Sequence, residues 1–146
     1  SPQIRDQLRA QEAVAHAFEL AVGASMALVG IGGTDDECTM VRSGCLSRRE
    51  IASLRGRGAV GDILGNYVDA DGRLITATHS QRLMALGLDE LRRIPTVVAV
   101  ASGPEKPLSI LGVLRAGIVD VLVLDEVNAR TVLDYAKAGT DSAGGA

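Results

Sequence analysis

The sequence has very few aromatic residues. Phe18, Tyr67 and Tyr135 make up its 2% of aromatics, and it has no tryptophan. Proteins that bind single-stranded nucleic acid stack the bases on aromatic side chains, so the composition argues against that class. It also predicts a core of alanine, valine, leucine and isoleucine, because 47% of the residues are hydrophobic.

The sequence also has fewer basic than acidic residues and only two cysteines. Lysine and arginine number 15 against 18 aspartate and glutamate residues, which gives a net charge of −3. DNA-binding domains carry a basic footprint, so this chain is not expected to bind DNA by itself. Cys38 and Cys45 have no histidine nearby and do not have the spacing of a metal site. We therefore expect a cytoplasmic protein that uses no metal or cofactor.

Long hydrophobic runs are absent too. The longest uncharged run, residues 20–34, has 15 residues and is interrupted by glycines, whereas a membrane-spanning helix needs about 20 residues. No basic segment precedes it, so neither a signal peptide nor a membrane partner is expected. The length suits one domain, which we place at residues 1–138, followed by a disordered tail at 139–146.

Hydrophobic periodicity predicts alternating helices and strands. Helices are expected over residues 4–22, 47–54, 88–93, 104–116 and 126–138. Strands are expected over 26–32, 63–68, 74–78, 96–101 and 119–124, with an irregular loop or lid at 33–46. The first strand and the last two are continuous apolar runs, typical of strands buried on both faces. The pattern predicts an α/β fold with a mostly parallel sheet flanked by helices.

Two of these strands end in residues that can meet a ligand, since ligands of open parallel sheets bind beyond the carboxyl ends of the strands. The first ends in a glycine-rich turn that contains Gly30 and Gly32, where a backbone can approach a ligand closely. A plain turn explains these glycines equally well. Asp125 follows the strand at 119–124 and is either the N-cap of the last helix or a ligand-binding or hinge residue.

Lys106 lies in a third such turn, at residues 102–106. We expect Pro104 near the first position of the next helix, so that free N–H groups of the following turn form an anion site with Gly103 and Lys106. A lysine at a helix start opposes the helix dipole, and its charge suits a phosphate partner. The alternative is a solvated surface lysine.

Asp62 lies in an apolar, glycine-rich segment, residues 58–65. A carboxylate there must be hydrogen-bonded or face a pocket, and sugar hydroxyls are natural partners for it. His79 is an isolated histidine in a polar loop and is expected to be solvated. No Ser-His-Asp or Cys-His arrangement can be assembled. The residues therefore indicate binding of a phosphorylated polyol more than a reaction centre.

Several motifs in register resemble the SorC-type, sugar-binding bacterial transcriptional regulators. The most specific is Gly-Ala-Val-Gly-Asp-Ile-Leu-Gly at residues 58–65, followed by Asp-Ala-Asp-Gly at 69–72. The other matching segments are 28–32, 44–47, 94–106 and 114–129. Together they cover nearly the whole chain.

The resemblance implies an effector domain that is similar in fold to sugar-phosphate isomerases and deaminases. Such a domain binds a phosphorylated sugar, forms a dimer or tetramer, and follows a helix-turn-helix domain that binds DNA. This chain resembles the C-terminal part of the effector domain, without the DNA-binding domain. Carried over by position, Asp62 and Leu64 would meet the sugar and Lys106 its phosphate or an adjacent oxygen, with Gly30 and Gly32 lining the strand edge.

Two departures from the family pattern and two alternative functions remain. Ser102 stands where the family more often has a second glycine, and Leu124 where it often has threonine, which leaves sugar specificity and any role of Asp125 open. One alternative is a sugar-phosphate isomerase or deaminase-like enzyme, for which Asp62 is the available base. The other, a nucleotide-binding Rossmann module, lacks a Gly-x-Gly-x-x-Gly sequence after any predicted strand.

Overall fold

The computed structural model describes residues 1–141 of the chain, with side chains up to residue 138. The helices are α1 (Pro2–Arg9), α2 (Glu12–Val22), α3 (Thr39–Arg42), α4 (Arg48–Gly56), α5 (Leu88–Leu91), α6 (Pro107–Arg115) and α7 (Glu126–Asp141). The strands are β1 (Ala27–Gly32), β2 (Ala59–Ile63), β3 (Asn66–Asp69), β4 (Val97–Ala101) and β5 (Val121–Leu124), and a 3₁₀ helix covers Thr78–Arg82. None of these described helices is long and apolar enough to cross a membrane.

The strands form one sheet in the order β3-β2-β1-β4-β5. Strands β1, β4 and β5 pair in parallel, whereas β2 and β3 form an antiparallel hairpin beside β1. Parallel neighbours require a crossover connection, which α6 provides between β4 and β5. The predicted α/β fold, with helices flanking a sheet, is confirmed, and the parallel part of the sheet consists of β1, β4 and β5.

The hairpin reverses at a different place from the one we predicted. The chain turns at Leu64 and Gly65, inside the segment 63–68 that the sequence predicted as one strand. Both residues have positive φ angles, 53° and 78°, which suits a two-residue hairpin turn whose twist matches that of its strands. The predicted return strand at 74–78 is instead represented by an isolated bridge between Leu74 and Val68.

The main core lies between α6 and one face of the sheet. Its most buried members include Ile63, Val97, Ala99, Ile110 and Val113. A second, smaller core is formed against α4 by Cys38, Leu46, Ile51, Leu54, Ala59 and Tyr67. Glycine at position 61 lets α6 approach β2, because a Cβ there would lie 2.5 Å from the Cβ of Ser109.

The opposite face of the parallel strands is exposed in the described chain. Leu28 is 73% exposed and Val123 is 50% exposed, and Val100 and Val121 lie open beside them. The expectation of strands buried on both faces is therefore wrong within residues 1–141. The apolar runs reflect strands β1, β4 and β5 with two apolar faces, of which the described helices cover one.

Three helix boundaries differ from the predicted ones. The predicted helix over 4–22 is two helices, because Gln11 has an extended backbone with ψ 132°. Helix α6 begins at Pro107 rather than Pro104, which makes Lys106 its N-cap residue. Helix α7 runs three residues into the segment predicted as a tail, and residues 142–146 lie outside the described part of the chain.

Candidate functional site

The end of β1 brings Gly32 and Asp62 together. They are direct partners in the β1–β2 pairing, so their side-chain positions lie on the same face of the sheet. A Cβ at Gly32 would lie 1.9 Å from Oδ1 of Asp62 and 2.8 Å from its Cγ. The Asp62 carboxylate thus covers the backbone of Gly32, and position 32 has no room for a side chain.

The Asp62 carboxylate is buried and is held by the hairpin turn. Its side chain is 6% exposed, and Oδ2 accepts a hydrogen bond of 2.8 Å from the backbone N–H of Gly65. Burial raises the pKa of Asp62 to about 6, against the opposing effects of the Gly65 hydrogen bond and the positive charge of Lys106. A carboxylate with such a pKa is still mainly ionised at pH 7 and can accept hydrogen bonds from hydroxyl groups.

Lys106 reaches the same end of β1 from the start of α6. Its Nζ lies 3.7 Å from the position of a Cβ on Gly33, and 3.7 Å from Oε1 of Glu105. The side chain is 17% exposed. Because α6 begins at Pro107, Lys106 lies at the N-terminus of the helix, where the first backbone N–H groups have no partner within the helix.

Leu64 occupies the corner of the hairpin, between Asp62 and Gly65. It lines a cavity of about 450 Å³ that the segment 40–46 and the segment 79–85 enclose on the other sides. Gly32, Asp62 and Lys106 are therefore brought together at the end of β1, whereas the cavity that Leu64 lines includes none of these three residues. Gly30 is not part of this group, since a Cβ there would meet nothing within 4 Å in the described chain.

Gly103 and Asp125 form a separate cluster at the ends of β4 and β5. Oδ1 of Asp125 accepts from the backbone N–H of Asn128 at 2.9 Å, the geometry of an N-cap for α7. Nδ2 of Asn128 donates to the carbonyl of Gly103 at 3.0 Å, and Ser102 Oγ donates to Asp125 at 3.3 Å. The hydrogen bonds that Asp125 accepts lower its pKa, those from the backbone and the side chain of Asn128 most. Asp125 thus caps α7 and ties it to the Ser102–Gly103 turn.

The segment 33–46 is attached to α4. Arg55 donates to the carbonyl of Thr34 and to Asp36, both at 2.7 Å, and Arg48 pairs with Glu37 at 2.6 Å. Cys38, a residue of the segment, is buried in the second core. In the described part of the chain, no group of three His, Cys, Asp or Glu side chains is arranged to hold a metal ion.

Sequence reasoning missed two residues beside this site. His79 was expected to be solvated, and that is wrong: it is 4% exposed, and its Nε2 lies 3.2 Å from the carbonyl oxygen of Gly65. Tyr67 is the direct β3 partner of Asp62 and is fully buried. The positions of His79 and Tyr67 beside Asp62 could not be predicted from local sequence spacing, because both depend on where the hairpin turns.

The comparisons with known proteins agree on one family. A family model described as "Putative sugar-binding domain" matches residues 1–134. The transcriptional regulator LsrR of Klebsiella pneumoniae is 38% identical over 139 residues, which are 93% of this chain and 43% of that protein. The chain thus spans less than half the length of this curated relative.

Solved structures lead to the same family. A structure described as "Putative Sugar-Binding Domain of Transcriptional Repressor" from Vibrio fischeri superposes with a TM-score of 0.83 at 35% identity, over 93% of this chain and 55% of that one. The full-length sorbitol operon regulator SorC from Klebsiella pneumoniae gives a TM-score of 0.78 at 25% identity, over 90% of this chain and 42% of that one. The chain therefore belongs to the sugar-binding domain family of SorC-type transcriptional regulators.

Proposed function

We propose that this chain is the C-terminal part of an effector domain that senses a phosphorylated sugar. The observation that carries the proposal is the buried Asp62 carboxylate, which lies over Gly32 within the electrostatic reach of Lys106. A carboxylate and an ammonium group at one strand end are complementary to a molecule with hydroxyl groups at one side and a phosphate at the other.

Each residue has a distinct part in this proposal. Asp62 Oδ2 is occupied by Gly65, and Oδ1 accepts from sugar hydroxyls. Lys106 binds the phosphate or an adjacent oxygen, and Leu64 contacts the apolar face of the sugar. Gly32 leaves the space that the Asp62 carboxylate occupies, while Gly30 continues the same strand edge.

The signal passes to DNA through parts of the protein outside this chain. We propose that the DNA is bound by a helix-turn-helix domain and that the effector domain forms a dimer or tetramer in the cytoplasm. The exposed sheet face with Leu28, Val100, Val121 and Val123 supplies apolar surface for association. Ligand binding orders the segment 33–46 and the Lys106 turn, which biases the assembly only if its two states differ in ligand affinity.

An enzymatic role is the less favoured reading. Asp62 has the pKa of a general base, but the matched relatives are named as transcriptional regulators. A sensor binds its sugar phosphate without converting it. Incubation of the protein with the ligand, followed by analysis of the sugar, separates the two roles: an altered sugar would establish the enzyme.

The proposal is tested by ligand-induced thermal stabilisation of the intact protein. The panel contains ribose 5-phosphate, fructose 6-phosphate, erythritol 4-phosphate and sorbitol 6-phosphate, each beside its unphosphorylated parent and inorganic phosphate. A ligand that binds the folded state raises the melting temperature by mass action. We expect a shift with a phosphorylated member and little or none with its parent.

Lys106→Ala is the decisive variant in this assay. We expect the affinity for the phosphorylated ligand to fall about 10- to 100-fold, because a charge-assisted contact to the phosphate is lost. Arg130→Ala is the matched control, since it also removes one positive charge but from an exposed site on α7 where Arg130 pairs with Glu126. Equal losses for phosphorylated and unphosphorylated ligands would remove the phosphate role of Lys106.

A further inference from the structure

The carboxylate of Asp62 is part of a row of side-chain positions that crosses the sheet. Gly32, Asp62 and Tyr67 are consecutive direct partners on β1, β2 and β3, so they share one face. The ring of His79 extends the row, because its centroid lies 5.2 Å from that of Tyr67 with an interplanar angle of 85°. A histidine that is far away in sequence thus lies against the immediate neighbour of Asp62.

Gly65 joins His79 to Asp62 through its two backbone groups. Its carbonyl oxygen lies 3.2 Å from Nε2 of His79, and its N–H donates to Oδ2 of Asp62 at 2.8 Å. A carbonyl can only accept, so Nε2 of His79 carries the proton and donates it. Burial lowers the pKa of His79, which favours the neutral ring, and a neutral ring that donates from Nε2 has an unprotonated Nδ1.

The turn that carries these bonds needs support from outside. Leu64 has a φ of 53°, a region that leucine rarely adopts. Asn66 holds one side of the turn, since its Nδ2 donates to the carbonyls of Ile63 and Leu86 at 3.1 and 2.9 Å. His79 holds the other side.

His79 itself is held by the segment that bears it. Arg82, in the same 3₁₀ helix, pairs with Glu50 at 2.8 Å and donates to the carbonyl of Cys45 at 3.1 Å. The first of these bonds connects the histidine to α4 and the second to the segment 33–46. His79 is thereby fixed relative to α4 and to the segment 33–46.

The buried polar atoms around His79 favour a role beyond filling space. Nδ1 of His79 and the hydroxyl of Tyr67 are both buried without a hydrogen-bond partner among the described residues. An apolar side chain at either position would avoid that unfavourable burial. The Nε2–H bond to Gly65 is what histidine provides that an apolar residue cannot.

We propose that His79 is a positioning residue for the sugar site: its Nε2–H holds the Leu64–Gly65 turn so that Gly65 binds the Asp62 carboxylate and Leu64 faces the ligand. This inference rests on the proposed function for its consequence in binding. Its structural part, the coupling of His79 to Asp62 through Gly65, is measurable without any ligand.

Three variants of the intact protein separate the positioning role from simple packing. His79→Phe keeps a ring against Tyr67 but removes the donor, whereas His79→Gln keeps an N–H that can reach the Gly65 carbonyl. Tyr67→Phe is the matched control, because it alters the same buried cluster and removes a hydroxyl that has no hydrogen-bond partner within the described part of the chain. Circular dichroism establishes that each variant is folded.

The first measurement is the pKa of the Asp62 carboxyl, determined by a ¹³C NMR titration in the absence of ligand. His79→Phe is expected to raise this pKa further, because the Gly65 hydrogen bond that lowers it is loosened. His79→Gln and Tyr67→Phe are expected to leave it near the wild-type value. An unchanged pKa in folded His79→Phe would overturn the coupling.

The second measurement is the affinity of each variant, determined by calorimetry, for two probes. One probe is the sugar phosphate of the panel that gives the largest thermal shift, and the other is inorganic phosphate. We expect His79→Phe to weaken the sugar phosphate about tenfold and inorganic phosphate less than twofold, with substantial rescue by His79→Gln. Equal weakening of both probes, or no rescue, would overturn the positioning role. Failure of every panel member to bind the wild type contradicts the proposed function instead, while the Asp62 pKa still tests the coupling.

A measurement on the wild type covers the case in which His79→Phe does not fold. ¹⁵N NMR of the histidine ring reports which nitrogen carries the proton. We expect protonated Nε2 and unprotonated Nδ1 at pH 7. The opposite tautomer would be incompatible with donation to Gly65 and would overturn the proposal.

Discussion

Gly32→Ala is expected to destabilise the domain through Asp62. The added Cβ would lie 1.9 Å from Oδ1 and 2.8 Å from Cγ of Asp62, so the carboxylate must move by more than an ångström. Such a movement breaks the 2.8 Å hydrogen bond from Gly65. Loss of a hydrogen bond to a charged group costs about 1.5–3 kcal/mol, and overpacking of a buried site adds about 1–3 kcal/mol.

The reduced flexibility of alanine opposes these losses only in part. Replacing glycine in a strand contributes about 0.5–1 kcal/mol in favour of the variant, which leaves a net destabilisation of about 1.5–5.5 kcal/mol. Urea denaturation of the intact protein, followed by circular dichroism, measures it. Gly56→Ala is the control, because a Cβ at this exposed end of α4 meets nothing within 4 Å; we expect it to be neutral or slightly stabilising.

A double-mutant cycle with Asp62→Ala identifies the cause. Without the carboxylate, the new Cβ at position 32 has room, so Gly32→Ala is expected to cost much less in that background. The coupling energy between the two positions is expected to be about 2 kcal/mol or more. Equal costs of Gly32→Ala with and without the carboxylate would show that the close approach of Asp62 to Gly32 is not the cause.

Two further variants probe the carboxylates at the strand ends. Asp62 has a folded-state pKa of about 6, above its usual 3.8. Its contribution to stability is therefore present below about pH 4 and is lost as the pH rises through about 6. The difference between the two pKa values corresponds to about 3 kcal/mol of unfolding free energy. Asp62→Asn should therefore raise the free energy of unfolding at pH 7, remove this pH dependence and weaken sugar-phosphate binding, whereas a less stable variant at pH 7 would contradict the burial argument. Asp125→Ala should lower the melting temperature by about 2–6 °C at pH 7 through loss of the α7 cap, with Asp125→Asn retaining most of it. Because the pKa of Asp125 is lowered in the folded protein, the carboxylate contributes to stability above its unfolded-state pKa. The difference in melting temperature between the wild type and Asp125→Ala should therefore shrink as the pH falls below about 4. A difference that is the same at pH 3 and pH 7 would exclude the cap.

The parts of the fold that depend on local patterns were predictable. The strands at 96–101 and 119–124 match β4 and β5 closely, because continuous apolar runs bounded by proline, glycine and charge define them along the chain. The capping box of α4 was predictable from Ser47 and Glu50, and both of its hydrogen bonds are present. Asp62 is hydrogen-bonded, as a carboxylate in an apolar segment requires.

Features that depend on contacts between distant segments were not predictable. The segment 63–68 has the composition of one strand, and nothing local shows that Leu64 would take a positive φ to turn the chain there. His79 lies in a polar stretch, yet its ring is buried because the hairpin provides Gly65 and Tyr67 as neighbours. Leu28 lies in an apolar run but is exposed, because burial depends on which element covers each face of the sheet.

The sequence alone is sufficient for the fold class, the family, and the residue types that can bind a phosphorylated sugar, since periodicity, capping and motif spacing are all local properties of the chain. The arrangement of Gly32, Asp62, Gly65 and His79 is not a local property. It depends on strand register and on the packing of a 3₁₀ helix whose His79 lies 14 residues beyond Gly65, and such long-range contacts arise only when the whole domain is assembled.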